Sequence, residues 1–184
     1  MSDNQVAHRE PYKPSLWRRE KLYLLSWEDL GKGLQKIRDQ ILSDGFRPVT
    51  VIGISRGGLV PATYFSHALH VDDFEVLGIA RNASDDIFCL KREPELLWTS
   101  ANRDYTGSSV LLVDDVAGEG KTLDFAVKFL KGKGATKVLT AVIARIQKCE
   151  FMPDYCAVEV DDWIVFPWEN TALDGSKQTQ PIYL

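Results

Sequence analysis

Two adjacent acids followed by a loop of small residues are the groups in this chain best suited to chemistry. They lie in VLLVDDVAGEGKTL (110–123), where an apolar run leads into Asp114 and Asp115 and a turn leads to Gly-Lys-Thr at 120–122. A short apolar run bounded by a turn is typical of a buried parallel strand, and a helical pattern follows directly. Free amides at a helix N-terminus bind anions, and paired carboxylates accept sugar hydroxyls or hold Mg²⁺. The stretch predicts a site for a phosphorylated sugar, although the same order also occurs in α/β proteins without a ligand there.

A second loop of the same kind follows the apolar run at 48–54. It reads Ser-Arg-Gly-Gly (55–58) and precedes a helical pattern at 59–69. The two glycines permit close approach to the backbone, so the amides can wrap a diphosphate, and Arg56 supplies a planar cation. Taken alone, the loop is also compatible with a tight turn that carries a surface arginine. Two such loops in one sheet favour a single ligand that carries phosphate at both ends.

Composition limits the classes of protein to consider. The chain has 184 residues, enough for one domain with a sizeable core, and its net charge of −4 argues against a general nucleic-acid binder. It lacks an apolar run near the roughly 20 residues that span a membrane, and its N-terminus lacks the apolar segment of a signal peptide. Cys89, Cys149 and Cys156 show no CxxC spacing and predict reduced thiols in a cytoplasmic protein. His67 and His70 have no nearby third ligand and do not predict a metal site.

Strand and helix patterns alternate along the chain. Strands are predicted at 21–25, 48–54, 74–80, 110–113, 137–146 and 157–160, and helices after Ser26 up to Gly45, at 59–69 and at 124–133. Ser26 caps the first helix, with Asp29 three residues on. This order predicts an α/β fold with a mostly parallel sheet and helices on both faces, whose ligands bind beyond the carboxyl ends of the strands.

The rest of the chain is assigned by length and polarity. Residues 1–20 are predicted to be an N-terminal arm and residues 21–184 a single domain. Residues 81–107 form a long polar stretch, which predicts a functional or flexible loop, such as a lid that excludes water, or an edge hairpin.

Both loops resemble known phosphate motifs. The acid pair followed by Gly-Lys-Thr resembles the phosphoribosyl-diphosphate (PRPP) signature of type I phosphoribosyltransferases. SRGGLVP at 55–61 is similar to the pyrophosphate loop of bacterial xanthine-guanine (6-oxopurine) phosphoribosyltransferases, and WIVFPWE at 163–169 resembles their Trp-Ile-Glu-x-Pro-Trp-Asp run. The resemblance covers about residues 21–170. It implies a Rossmann-like sheet with a small hood and a cis peptide at Ser55–Arg56.

The resemblance also implies a function and its residues. A purine-like base would displace pyrophosphate from PRPP with Mg²⁺ as cofactor, Asp114 as metal ligand, and Asp114, Asp115 and Arg56 as catalytic residues. The residues implied for PRPP are Ser55, Arg56, Gly57, Gly58, Asp115, Val116, Ala117, Gly118, Glu119, Gly120, Lys121 and Thr122. Those implied for the base are Arg145, Trp163 and Ile164; from the residues alone, Trp163 also fits core packing. Family members commonly form dimers or tetramers, so a homo-oligomer is expected.

Several positions depart from the family pattern and keep two other hypotheses open. Gly118 replaces the Asp proposed as general acid or base, Glu119 replaces a Thr that touches phosphate, and Val165 replaces an acid. Arg81-Asn82 replaces the usual Ser-Tyr pair of the flexible loop. These changes favour, as an alternative, a regulator with little or no activity that binds a purine monophosphate or ppGpp. A third hypothesis is an interaction module built on a retired enzyme fold.

Overall fold

Parallel strand pairing dominates the computed structural model, which describes residues 20–82, 91–169 and 178–184. The strands are β1 (Lys21–Leu25), β2 (Thr50–Ser55), β3 (Phe74–Asn82), β4 (Lys91–Thr99), β5 (Ser109–Ala117), β6 (Lys137–Ile146), β7 (Tyr155–Val160), β8 (Trp163–Val165) and β9 (Gln178–Ile182). The helices are α1 (Trp27–Ser43), α2 (Leu59–Ala68) and α3 (Lys121–Gly132). Six strands form the main sheet in the order β4-β3-β2-β5-β6-β7, in which β4 is antiparallel and the other pairs are parallel. No helix in these described ranges is long and apolar enough to cross a membrane.

Strand β5 runs through the centre of the sheet and is buried on both faces. Leu111 and Val113 pack in the cluster that also holds the apolar faces of α1 and α2. Val110 and Leu112 pack with α3 on the opposite face. The unbroken apolar run before the acids therefore reflects burial on two faces, and the predicted α/β class with helices on both sides of the sheet is confirmed.

Most predicted elements are present, with shifted ends. The amide of Asp29 donates to Ser26 Oγ over 3.0 Å, which confirms the cap of α1, and Gly45 ends that helix region with a φ of +67°. Strand β5 continues past the acid pair to Ala117 rather than ending before it. Helix α3 begins at Lys121 rather than at residue 124, because the chain turns at the residue before it.

The structure describes only part of the stretch 81–107 and only residue 20 of the expected N-terminal arm. In the stretch 81–107, β4 pairs antiparallel with β3 at the edge of the main sheet. Of the alternatives predicted for this stretch, the edge hairpin is observed. Residues 83–90, which include Cys89, and residues 1–19 of the expected arm lie outside the described residues, so the lid and the arm stay predictions. His70 follows α2, with a φ of 56°.

A second, three-stranded sheet forms the hood, which we define as β8, β1 and β9 in that order, all parallel. Asp162, 4% exposed, joins β1 to β8: Oδ2 accepts the amides of Glu20 (2.8 Å) and Lys21 (3.0 Å), and Oδ1 accepts that of Trp163 (2.8 Å). One buried carboxylate thus fixes the position of the strand that carries Trp163.

Replacing Asp162 with alanine is expected to lower the free energy of unfolding by about 1–3 kcal/mol, because backbone donors lose their buried acceptor. Denaturant unfolding monitored by circular dichroism measures the change. The neighbouring Asp161→Ala is the matched control, since Asp161 is 43% exposed and pairs with Lys21 at the surface. Equal effects of the two substitutions would contradict the anchoring role of Asp162.

Candidate functional site

The acid pair lies near the carboxyl end of β5, where the main chain itself orients both side chains. Asp114 Oδ1 accepts the amide of Asp115 over 3.0 Å, and Asp115 Oδ1 accepts the amide of Val116 over 2.7 Å. Burial, together with the charge of Asp115, holds the pKa of Asp114 well above its ordinary value, and burial also raises the pKa of Asp115. Two carboxyl groups in such surroundings favour a cation or hydroxyl donors as partners.

The loop between β2 and α2 packs directly on these acids. A Cβ added to Gly57 would lie 1.7 Å from Asp115 Oδ2. A Cβ added to Gly58 would lie 2.6 Å from the carbonyl oxygens of Ile54 and Val113. A side chain at position 58 would collide with the main chain of β2 and β5, and one at position 57 would displace the carboxylate of Asp115. The loop at 55–58 therefore packs against the end of β5 that carries the acid pair.

The course of that loop agrees with the resemblance. The peptide between Ser55 and Arg56 is cis, as predicted. Helix α2 then begins at Leu59 without a side-chain cap, after the carboxyl end of β2 and therefore at the same end of the sheet as the acids. The amide of Leu59 donates to the carbonyl oxygen of Arg56 over 3.1 Å, so the loop turns tightly beside the carboxylates.

The loop after β5 ends at Gly120, the N-cap of α3, whose φ of +82° lies in the left-handed region. A Cβ there would lie 2.2 Å from Phe151 Cβ and 3.1 Å from Cys149 Sγ, so the loop rests against the turn after β6. Lys121 Nζ forms an ion pair with Glu93 of β4 at 2.5 Å. The side chain of Lys121 thus joins α3 to the hairpin, while α3 has no side-chain cap at its N-terminus.

Glu119, one of the departures from the family pattern, lies near the same turn. Burial raises the pKa of the Cys149 thiol, and the charge of Glu119 adds to that effect. Cys149 is a buried free thiol and Cys156 a half-buried one.

The residues expected to contact a base occupy two different elements. Trp163 in β8 is half-buried against the core beside β1, and Ile164 is 3% exposed, so the side chain of Ile164 belongs to the core. Arg145, near the end of β6, has a 10% exposed side chain; Nη2 donates to Glu159 Oε1 over 2.5 Å and Nη1 to Met152 Sδ over 3.2 Å. The guanidinium is therefore held by β7 and by the turn after β6.

Glu169 is a residue of this region to which sequence reasoning assigned no role. Its Oε2 accepts the amide of Phe166 over 3.0 Å. Glu169 as a whole is exposed, but partial desolvation of its carboxyl group raises its pKa, and the charge of Asp115 raises it further. A third carboxyl group thus lies in the field of the acid pair. Glu169 is the last residue of the WIVFPWE run, so the sequence motif includes it. Its proximity to Asp115 of β5 depends on the tertiary fold, which the motif does not specify.

Metal ligation by the protein alone is limited. Within the ranges that the structure describes, no group of three or more His, Cys, Asp or Glu side chains is arranged to hold a metal ion. The acid pair fits a cation that takes most of its oxygen ligands from water or from a bound phosphate.

Comparison with known proteins agrees with this geometry. The family model described as "Phosphoribosyl transferase domain" matches residues 24–174. Curated relatives include a xanthine-guanine phosphoribosyltransferase from Idiomarina loihiensis, 28% identical over 159 residues that cover 83% of this chain and 90% of the relative. A purine phosphoribosyltransferase structure from Pyrococcus horikoshii has a TM-score of 0.71 and 28% identity, covering 84% of this chain and 97% of that one. The fold is also shared with a hypothetical protein from Neisseria gonorrhoeae with bound ppGpp, at a TM-score of 0.68 and 22% identity, covering 85% and 94% of the two chains.

Proposed function

Because the chain belongs to the phosphoribosyl transferase domain family, we propose that it transfers a 5-phosphoribosyl group from PRPP to a purine-like base and releases pyrophosphate. The observation that carries the proposal is the packing of the loop at 55–58 on the acid pair at the end of β5, the strand from which the second loop leads. Gly57 packs on Asp115, so amides suited to one phosphate group lie next to carboxylates suited to the ribose hydroxyls. The second loop, at 118–122, supplies the amides for a phosphate at the other end of the sugar.

Each loop has a distinct part in the proposed reaction. The nitrogen of the base forms a bond to C1 of the ribose while the bond from C1 to the pyrophosphate oxygen breaks, and the departing pyrophosphate takes the bonding electrons. The proton on that nitrogen is released to water. Residues 55–58 bind the pyrophosphate, with Arg56 offsetting its charge, and residues 118–122 bind the 5′-phosphate. Asp114 and Asp115 hold the ribose hydroxyls, which fixes C1 relative to the incoming base.

Mg²⁺ fits the donor set of this site. The buried acid pair presents hard oxygen ligands whose shared negative charge a divalent cation would offset, with Asp114 as the proposed protein ligand. When bound, the ion would neutralise charge on the departing pyrophosphate.

The proposal is tested by pyrophosphate release from PRPP and Mg²⁺, screened against guanine, xanthine, hypoxanthine, adenine, uracil and orotate. Release that requires one of the purines is the expected result. It would also show that Gly118 is tolerated at the position where the family pattern has Asp. Silence with all six bases would contradict the proposal.

Trp163→Ala is expected to weaken binding of a purine mononucleotide about 5- to 150-fold and to leave PRPP affinity nearly unchanged. Stacking on a base contributes roughly 1–3 kcal/mol, and PRPP carries no base. Titration calorimetry with both ligands measures the difference. Trp98→Ala is the control, because Trp98 is 52% exposed on the edge strand β4; an equal loss for both ligands in Trp163→Ala would contradict the base assignment.

A second candidate function is a nucleotide-binding regulator with little transferase activity. Two sequence departures favour it: Gly118 removes the expected proton-transfer group, and Glu119 places a carboxylate in the phosphate loop. General acid–base help is typically worth 10²–10⁴-fold, so its loss reduces turnover without removing the phosphate loops. Tight binding of a purine monophosphate or ppGpp without pyrophosphate release would support this candidate over the transferase.

A further inference from the structure

Arg145 and Glu159 form an ion pair near the carboxyl ends of β6 and β7. The two residues lie opposite each other in the β6–β7 pairing, and Nη2 of Arg145 lies 2.5 Å from Oε1 of Glu159. Arg145 is the buried partner, with 10% of its side chain exposed, whereas 52% of Glu159 is exposed. Such a pair balances the charge of the guanidinium while leaving the carboxylate accessible to solvent.

This pair lies beside the proposed site. Arg145 pairs across the sheet with Ala117, the last residue of β5, and the phosphate loop follows immediately. Ligands of parallel sheets bind beyond the carboxyl ends of the strands. A base joined to a sugar held by Asp115 would therefore lie near the carboxyl end of β6. The charge of Arg145 therefore contributes to the potential that the base experiences.

The other titratable groups around Arg145 are two thiols and the carboxyl groups of the turn after β6 and of the phosphate loop. The thiols of Cys149 and Cys156 face it, and burial raises the pKa of both, so they are uncharged near neutral pH. Glu119 and Glu150 act on the Cys149 side of the turn. Glu159 is the carboxylate in hydrogen-bond contact, and that hydrogen bond also raises the pKa of Arg145, which keeps the guanidinium charged.

We propose that Glu159 is a positioning residue that balances the charge of Arg145 and so adapts the base site to neutral 6-oxopurines in preference to an anionic base. The proposal rests on the proposed transferase function and deepens it by naming the substrate class. Hypoxanthine and guanine are neutral near neutral pH, whereas xanthine begins to lose a ring proton there, so that a fraction of it that grows with pH is an anion. An unbalanced guanidinium would favour the anion through Coulomb attraction in a poorly solvated site.

The test is Glu159→Gln, which keeps the size of the side chain and removes its charge. The ratio of kcat/KM for xanthine to that for hypoxanthine is expected to rise roughly tenfold, and the rise is expected to grow with pH as xanthine ionises. Glu159→Asp should restore the wild-type ratio. Asp39→Asn is the matched control, since it breaks another arginine–carboxylate pair, with Arg38 at 2.8 Å, on the surface of α1.

A double-substitution cycle separates this role from a structural one. In an Arg145→Met background, Glu159→Gln is expected to leave the ratio unchanged, because the balanced cation is absent. An unchanged ratio in Glu159→Gln alone, an equal loss with both bases, or an effect that persists without Arg145 would overturn the proposal.

A separate measurement tests the charge balance if the protein has no transferase activity. If the wild-type chain releases no pyrophosphate with any base, the same ratio is measured as the relative affinity for xanthosine and inosine monophosphates by calorimetry. A shift towards the xanthine nucleotide in Glu159→Gln would support the charge balance without catalysis. An unshifted ratio, or no binding of either nucleotide, would overturn it.

Discussion

Asp115→Asn is expected to reduce PRPP-dependent pyrophosphate release by about 10²–10³-fold, the usual effect of removing one preorganised electrostatic group. The substitution keeps the shape of the side chain and removes the charge that would hold a ribose hydroxyl and a cation. The pKa of neighbouring Asp114 is raised, first by burial and then by the charge of Asp115, so the two acids repel each other in the unliganded protein. Steady-state kinetics and PRPP titration measure the loss.

A stability measurement distinguishes this effect from misfolding. Because the substitution relieves repulsion between two buried carboxyl groups, the melting temperature of Asp115→Asn is expected to equal or exceed that of the wild type. Asp72→Asn is the control, since Asp72 is exposed in the loop before β3, at the opposite end of the strands. Unchanged kinetics in Asp115→Asn would remove Asp115 from the proposed site.

The sequence predicts the strand and the loops of the proposed site because the candidate residues follow directly on strongly patterned elements of the fold. The apolar run before Asp114 is buried on two faces, so it identifies a central strand, and the small residues after it identify a turn towards a helix. The same logic identifies β2 and the loop after it. Local patterns suffice where strand, loop and helix follow one another without interruption.

Elements that depend on distant partners were harder to predict. Strand β9 has a polar sequence with Pro181 and buries Ile182, and it becomes a strand by pairing with β1, which lies more than 150 residues earlier. Strand β4 contains Pro94, which an edge position tolerates. Neither segment carries the alternating apolar pattern by which a strand is recognised from sequence.

The unpredicted features of the site have the same cause. Glu169 acts on Asp115 across 54 positions of sequence, and Glu159 meets Arg145 only because β6 and β7 pair in one register. Sequence motifs identify the residue types for phosphate recognition. The charge partners that set the potential around a base depend on strand register, which a single sequence does not specify.

Gly57→Ala is expected to reduce turnover by about 100-fold, because a displacement of about 1 Å among reacting groups commonly has that effect. The new Cβ would lie 1.7 Å from Oδ2 and 2.3 Å from Cγ of Asp115, so the acid or the pyrophosphate loop must move. Gly31→Ala, in the middle of α1, is the matched control. Apart from its own stretch of helix, no atom lies within 4 Å of the added Cβ. Alanine there should raise the free energy of unfolding by about 0.5–1 kcal/mol and leave the kinetics unchanged. Full activity in Gly57→Ala would contradict a functional role for the contact between the pyrophosphate loop and Asp115, and with it the geometric basis for a single ligand bound by both.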